Sequence, residues 1–260
     1  MSNIARAFAK GKAFIAFLTC GDPDVETTMA CVREMARSGA DLIELGIPFS
    51  DPTAEGPVIQ EASLRALSGG VTTDRIFDMV TELRKDVTIP MVFMTYANVV
   101  FSYGAERFLA RCAETGIDGL ILPDLPFEEK GEFLDVCRAH DVALISLIAP
   151  TSANRVAMIA REAEGFLYLV SSLGVTGTRS SIDTDLGEII RGIRENAKVP
   201  FAIGFGISNP EQAKKMAALS DGVIVGSAIV SLIGRYGKDA PSHVGAFVEE
   251  MKQAVREAEE

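Results

Sequence analysis

The sequence is poor in residues that hold metal ions. Among its 260 residues are no tryptophan, two histidines and four cysteines, and no two of the cysteines are spaced as CxxC. Structural and catalytic metal sites usually need clusters of histidine, cysteine and carboxylate side chains. The composition therefore argues against a resident metal. Scattered cysteines and the lack of a signal peptide also favour a reducing compartment, so we expect a cytoplasmic protein.

Positive charge is scarce as well. Lysine and arginine total 25 against 36 aspartate and glutamate residues, which gives a net charge of -11 and a pI of about 4.8. This balance argues against a nucleic-acid partner and against an anionic membrane surface. The longest apolar run, residues 223–233, is too short to span a bilayer. An anionic substrate would have to be held by backbone N–H groups.

Apolar runs without alternation recur along the chain, separated by amphipathic segments, and 48% of the residues are hydrophobic. Such runs are typical of strands buried on both faces, and helical crossovers between them imply parallel pairing. Eight strand–helix units predict an α/β fold, a single (β/α)₈ TIM barrel over residues 1–260. The predicted strands are residues 13–19, 41–45, 90–95, 119–122, 143–148, 165–171, 200–203 and 222–225.

Helices are predicted between these strands, with a short one at the N-terminus and long loops after the second and sixth strands. No GxGxxG motif follows the first strand, which argues against a dinucleotide-binding sheet. The predicted helices are residues 4–9, a segment ending at 37, 73–85, 105–114, 128–139, 153–163, 185–196, 210–217, 228–232 and 243–258.

The second predicted strand leads into an unusual acidic loop. Residues 43–60 read IELGIPFSDPTAEGPVIQ, with Glu44 one residue before the strand end and Asp51 and Glu55 within the loop. A solvated turn with surface acids would explain Asp51 and Glu55. It explains Glu44 less well, because an acid in an apolar strand is buried and its charge is then costly.

Glycines follow the seventh and eighth strands, as GFGIS at residues 204–208 and VGS at 225–227. Barrel enzymes often bind phosphate at these two strand ends, through backbone N–H groups and a helix N-terminus. Tight turns with a helix cap are the alternative explanation. The loop after the sixth strand, SSLGVTGTRSS at residues 171–181, has the composition of a mobile lid or of a plain flexible loop.

The acidic loop resembles the signature of the tryptophan synthase alpha chain family, ELG-x-PFSDP-x-A-D-G-P-x-IQ. The match has one departure, because Glu55 stands where the family carries aspartate. The resemblance continues along most of the chain. It implies retro-aldol cleavage of indole-3-glycerol phosphate to indole and glyceraldehyde 3-phosphate. It also implies no cofactor in this chain, and a partner beta chain that binds pyridoxal phosphate in an alpha2beta2 complex.

The resemblance also assigns residues. It implies Glu44 and Glu55 as catalytic acids and Thr176 as a lid residue that contacts the acidic loop. A beta chain would dock on residues 48–52, Asn98 and residues 124–126. The implied phosphate site is Gly177, Gly206, Gly226 and Ser227, and the implied indole pocket is Phe17, Met94, Tyr96, Ile121, Ile148, Tyr168 and Phe205. Taken singly, each of these apolar strand residues would be read as ordinary core.

The chemistry of the residues agrees with this assignment. No predicted strand ends in lysine, which argues against a Schiff-base aldolase. Without lysine or metal, the substrate must be its own electron sink, and an indole ring can serve when it is protonated at C3. We expect the pKa of Glu44 to be raised in the apolar barrel, and Glu55 to stay ionised on a polar loop.

Other functions stay open at this point. A stand-alone indole-3-glycerol-phosphate lyase would show the same pattern. Because Glu55 departs from the family, so would a low-activity alpha-like subunit that mainly activates a beta partner. An isomerase of another sugar phosphate has only the fold and the phosphate loops in its favour.

Overall fold

The computed structural model describes residues 3–258 except 151, 172–178 and 205, and only the backbone of residues 179–185. Its strands form one closed parallel barrel in sequential order, in which the first strand pairs with both the second and the eighth. The strands are β1 (Ala13–Thr19), β2 (Leu42–Gly46), β3 (Met91–Met94), β4 (Gly119–Ile121), β5 (Ala143–Ile148), β6 (Leu167–Val170), β7 (Phe201–Gly204) and β8 (Gly222–Val225).

Helices connect the strands and surround the barrel. They are α1 (Asn3–Ala7), α2 (Val25–Arg37), α3 (Pro57–Ser68), α4 (Thr73–Leu83), α5 (Ala97–Tyr103), α6 (Ala105–Thr115), α7 (Gly131–Ala139), α8 (Ala153–Arg161), α9 (Arg179–Asn196), α10 (Pro210–Leu219), α11 (Ser227–Tyr236) and α12 (Ala240–Arg256). Among the residues described, none of these helices has both the length and the apolar composition needed to cross a membrane.

The predicted (β/α)₈ barrel is confirmed, and β1, β5 and β8 have the predicted bounds. Two helices were not predicted, α3 and α5. The sequence predicts a loop at Pro57, but proline is well suited to the first turn of a helix, and α3 begins there after the cap residue Gly56. Helix α5 is short and begins without a side-chain cap, so no signal marked its start.

Four predicted helices have wrong bounds. Helix α7 begins at Gly131 instead of residue 128, because Phe127–Glu129 form a short 3₁₀ helix before it. Helix α9 begins at Arg179, so the last three residues of the predicted lid, 179–181, are helical. Helix α11 runs from Ser227 to Tyr236 instead of over residues 228–232, and α12 begins at Ala240 instead of residue 243. The reason for α12 is again a proline in the first helical turn, Pro241.

Side chains alternate between two apolar layers. One layer fills the barrel, where Leu42, Val92, Ile145 and Ile224 pack together with Ile4 of α1. The other layer lies between the strands and the surrounding helices. Because successive residues of a strand point to opposite faces, the layer of one residue fixes the direction of its neighbours. This alternation decides which strand residues can reach the mouth of the barrel.

At the start of β4, a buried ion pair links two connections. Arg84, at the end of α4, donates to Asp118 Oδ2 at 2.7 Å, to Ile89 O at 2.6 Å and to Gly116 O at 3.0 Å. The Asp118 carboxylate also accepts from the backbone N–H of Met91 at 2.9 Å. The two side chains are only 20% and 10% exposed, so each charge depends on the other.

We therefore expect Arg84→Met to lower the free energy of unfolding by roughly 3–5 kcal/mol, because it leaves a buried carboxylate unpaired. Urea denaturation at neutral pH measures this. The control is Arg33→Met, which breaks an exposed pair with Asp86 and should cost less than about 1 kcal/mol. Equal losses in the two variants would contradict the structural role of the buried pair.

Candidate active site

Glu44 is a buried carboxyl inside the barrel. It lies two residues after Leu42, which packs in the barrel interior, so its side chain points inward too. The residue is 1% exposed, and its Oε2 atom has no hydrogen-bond partner. Burial raises the pKa of Glu44 to about 8, as the sequence led us to expect. At neutral pH this carboxyl is protonated and can act as an acid.

Glu55 lies on the ten-residue connection from β2 to α3, and its backbone is held on both sides. The Gln60 side chain donates from Nε2 to the Glu55 carbonyl oxygen at 2.7 Å. On the other side, the Ala54 N–H donates to the Tyr96 hydroxyl at 3.0 Å. A loop backbone with two such contacts holds the carboxyl in a defined place.

The surroundings of Glu55 differ from the polar loop that we expected. Its side chain is half-buried, and its Oε2 atom is buried without a hydrogen-bond partner. Burial raises the pKa of Glu55 above its ordinary value, while a hydrogen bond with the Tyr96 side chain lowers it. The loop is polar in sequence, but the folded chain turns this carboxyl away from water.

Both carboxyls line one cavity of about 270 Å³ at the C-terminal end of the barrel. Among the described residues, no lysine or arginine lines it. The predicted pocket residues Phe17, Met94 and Tyr168 lie in its wall. The sequence prediction assigned no role to several other lining residues, among them Ala54, Ile59, Ile207 and Ile224. Ile59 belongs to α3, the helix that was not predicted.

Three other predicted pocket residues lie elsewhere. Ile121 is fully buried deeper in the barrel, and Ile148 packs in the layer between strands and helices. The Ile148 prediction was off by one residue, because alternation along β5 makes Leu147 the inward-facing side chain near the strand end. Tyr96 does not line the cavity; it contacts the acidic loop through its hydroxyl. Phe205 lies outside the described residues.

Leu147 instead lines a second cavity of about 490 Å³, which shares Ala54 and Met94 with the first. This second cavity lies above β4 and β5 and has Leu122 and Val170 in its wall. The two cavities adjoin at Ala54 and Met94, and the wall of the second also includes the charged side chains of Lys130 and Arg155.

Three of the four predicted phosphate residues, Gly206, Gly226 and Ser227, line the cavity that holds Glu44 and Glu55. Ser227 is the first residue of the ten-residue helix α11, so the free N–H groups of that helix start there. Gly206 has a φ of 77°, a backbone conformation that favours glycine. Gly177 and the predicted lid residue Thr176 lie outside the described residues.

Tyr168 is a second titratable side chain in the barrel interior, close enough to Glu44 to be affected by its charge. It is buried, and burial together with the charge of Glu44 raises its pKa well above the ordinary value. The hydroxyl therefore stays protonated beside the acid. In the described part of the chain, no three histidine, cysteine, aspartate or glutamate side chains are grouped as a metal ion would need.

Comparison with known proteins identifies the family. The family model described as tryptophan synthase alpha chain matches residues 4–259. The tryptophan synthase alpha chain of Lacticaseibacillus casei is 47% identical over 255 residues, which cover 98% of this chain and 96% of that protein.

Solved structures agree. The tryptophan synthase subunit alpha of Legionella pneumophila superposes with a TM-score of 0.89 at 37% identity and covers 99% of both chains. A chain from the tryptophan synthase complex of Pyrococcus furiosus has a TM-score of 0.85 at 35% identity, covering 94% of this chain and 98% of its own. Over nearly its whole length, the chain therefore belongs to the tryptophan synthase alpha chain family.

Proposed function

We propose that this chain cleaves indole-3-glycerol phosphate to indole and glyceraldehyde 3-phosphate by a retro-aldol reaction. One observation carries the proposal. Glu44 Oε2 and Glu55 Oε2 are both buried without a hydrogen-bond partner, and both residues line the cavity that also holds the glycine loops. Buried polar atoms are nearly always paired, so two unpartnered carboxyl oxygens in one cavity favour a ligand that supplies the missing partners.

The first step prepares the indole ring as an electron sink. Neutral Glu44 donates its proton to C3 of the indole, and ionised Glu55 takes the proton from N1. The product is an indolenine, with a C2=N1 double bond and a saturated C3. The pKa of about 8 at Glu44 suits this role, because the group is protonated at neutral pH and ionises once it has given up the proton.

The second step breaks the carbon–carbon bond. The Glu44 carboxylate removes the proton from the hydroxyl on the glycerol carbon next to C3. That carbon becomes the aldehyde, the bond to C3 breaks, and its electrons restore the C2=C3 double bond while N1 recovers its proton from Glu55. Both carboxyls return to their starting states, so the cycle needs neither a cofactor nor a metal.

The phosphate is held by backbone. We assign the cradle to the N–H groups at Gly177, Gly206, Gly226 and Ser227, with the Ser227 hydroxyl as a further donor. The N-terminus of α11 adds a partial positive charge. A phosphate bound there anchors the substrate, and the apolar walls at Phe17, Met94 and Ile224 enclose the ring.

We also propose that the indole passes to a beta chain that binds pyridoxal phosphate, in an alpha2beta2 complex in the cytoplasm. Asp51, Asn98 and Asp124 are exposed, and Phe101, on the same helix as Asn98, is 64% exposed. Pro48, which we expected in the interface, is buried and cannot contact a partner.

All four cysteines are free and buried, which suits a reducing compartment.

Indole release tests the proposal directly. The isolated chain, given indole-3-glycerol phosphate, should release indole and glyceraldehyde 3-phosphate in equal amounts, and a beta chain with serine should convert the indole to tryptophan and raise the cleavage rate. Cleavage that a beta chain does not change would favour a stand-alone lyase. Stimulation of the beta reaction without cleavage would favour an activating subunit.

Replacement of Glu44 by glutamine should lower kcat by about 10²–10⁴-fold, because glutamine keeps the shape but cannot cycle a proton. Binding of inorganic phosphate, measured by calorimetry, should be unchanged. In the wild type, kcat/KM should fall as pH rises through about 8, because Glu44 is then ionised and cannot protonate C3. A flat profile between pH 7 and 9 would contradict the role given to Glu44.

At Glu55 we expect that a shorter acid is no improvement. Gln60 and Tyr96 hold the loop backbone, so Glu55→Asp withdraws the carboxylate by roughly 1.5 Å from N1. A displacement of about 1 Å can cost about 10²-fold in rate. We expect Glu55→Asp to lower kcat by between about 10-fold and 10²-fold and Glu55→Gln to lower it further. Faster indole formation by Glu55→Asp would show that the longer acid is misplaced.

For the phosphate cradle, Ser227→Ala should weaken binding of inorganic phosphate by roughly 10-fold to 10²-fold, the effect of one hydrogen bond to a charged group. The matched control is Ser231→Ala, one turn further along α11 at an exposed position, which should leave affinity unchanged. Titration calorimetry measures both. Equal affinities of the wild type and Ser227→Ala would remove the hydroxyl from the cradle.

A further inference from the structure

An ion pair between a buried aspartate and a half-buried arginine lies behind the acidic loop, on the far side of α3. Arg65 of α3 donates from Nε to Asp22 Oδ1 and from Nη2 to Asp22 Oδ2, both at 2.8 Å. The Asp22 side chain is 1% exposed and that of Arg65 is 39% exposed. Two parallel hydrogen bonds fix the angle of the guanidinium as well as its distance, which a lysine could not do.

Asp22 is anchored to the barrel. It follows β1 by three residues, and its N–H donates to Thr19 O at 3.4 Å. The preceding N–H, of Gly21, donates to Thr28 Oγ1 at 3.0 Å, which ties the turn to α2. The carboxylate is therefore a fixed point relative to β1, and β1 pairs in register with β2, where Phe17 lies beside Glu44.

Arg65 connects the fixed Asp22 carboxylate to the acidic loop through helix α3. Helix α3 begins two residues after Glu55, and Gln60 of the same helix donates to the Glu55 carbonyl. The guanidinium also lies against α11, because a methyl group at Gly234 would be 3.0 Å from Arg65 Nη2. Movement of α3 along the barrel would therefore carry Gln60 and Glu55 with it.

We propose that Arg65 and Asp22 are a positioning pair, which sets α3 on the barrel so that the Glu55 carboxylate reaches N1 of the indole while Glu44 reaches C3. This inference rests on the function proposed above, because it acts through Glu55. Neither residue lines the cavity that holds the two acids. The pair acts through α3, by fixing the distance between Glu55 on the loop and Glu44 on β2.

The test compares kcat with phosphate binding and with stability. Arg65→Lys keeps the charge but loses the two parallel hydrogen bonds, and Asp22→Asn keeps the shape but loses the charge. We expect each to lower kcat for indole-3-glycerol phosphate cleavage by about tenfold, as a small misplacement of a reacting group does. The dissociation constant for inorganic phosphate should change less than about twofold, because α11 also packs on β1 and α12.

The matched control is Arg84→Lys, which weakens a buried ion pair, Arg84–Asp118, at the opposite end of the barrel. It should lower the midpoint of urea unfolding without changing kcat. A purely structural role of Arg65 would give the same pattern in Arg65→Lys, with lower stability and an unchanged kcat, and would overturn the inference.

A double variant tests whether Arg65 affects kcat through Glu55 or through another group. Combined with Glu55→Gln, Arg65→Lys should cause no further loss of kcat, because the group that it positions has lost its function. A further tenfold loss in the double variant would overturn the inference. A wild-type chain that cleaves no substrate would instead refute the proposed function, so the two failures can be told apart.

Discussion

The chemistry proposed for this chain depends on the burial of one carboxyl group. Glu44 sits among the apolar side chains of the barrel interior with an unpartnered oxygen. Ionised, such a group would cost several kcal/mol, so it stays protonated up to a pH of about 8. The same apolar walls that keep it neutral also form the surface on which an aromatic ring can lie. Acidity and ring binding therefore have one physical cause.

The proposed reaction also needs a carboxylate that is ionised at neutral pH, and the apolar barrel interior that keeps Glu44 protonated cannot supply one. Glu55 is supplied by a loop, outside the regular barrel, and it is less buried than Glu44. Loops are easily displaced, so this position depends on contacts from three sides. They come from Tyr96, the residue before α5, from Gln60 on α3, and from the Arg65–Asp22 pair behind that helix. Precise chemistry from a loop residue requires such support.

The extra methylene of Glu55 matters for the same reason. Aspartate and glutamate differ by only ~0.4 in reference pKa, so the exchange alters geometry more than charge. The loop backbone is held at Ala54 and at the Glu55 carbonyl, which leaves the length of the side chain to decide how far the carboxylate reaches. In the proposed mechanism, the chain therefore keeps an acid at this position but places its carboxylate with a different geometry.

The (β/α)₈ barrel could be predicted from the sequence alone. Eight apolar runs without alternation, separated by amphipathic segments, can bury their side chains on both faces when parallel strands are joined by helical crossovers. The sequence also determined the burial of Glu44, since an acid inside such a run has no route to water. Helices α3 and α5, the inward side of β5 at Leu147 instead of Ile148, and the half-buried state of Glu55 were decided by tertiary structure. The inward side of β5 depends on which face of the strand meets the barrel interior, and the burial of Glu55 depends on what packs over its loop. Each is set by contacts between residues far apart in the chain.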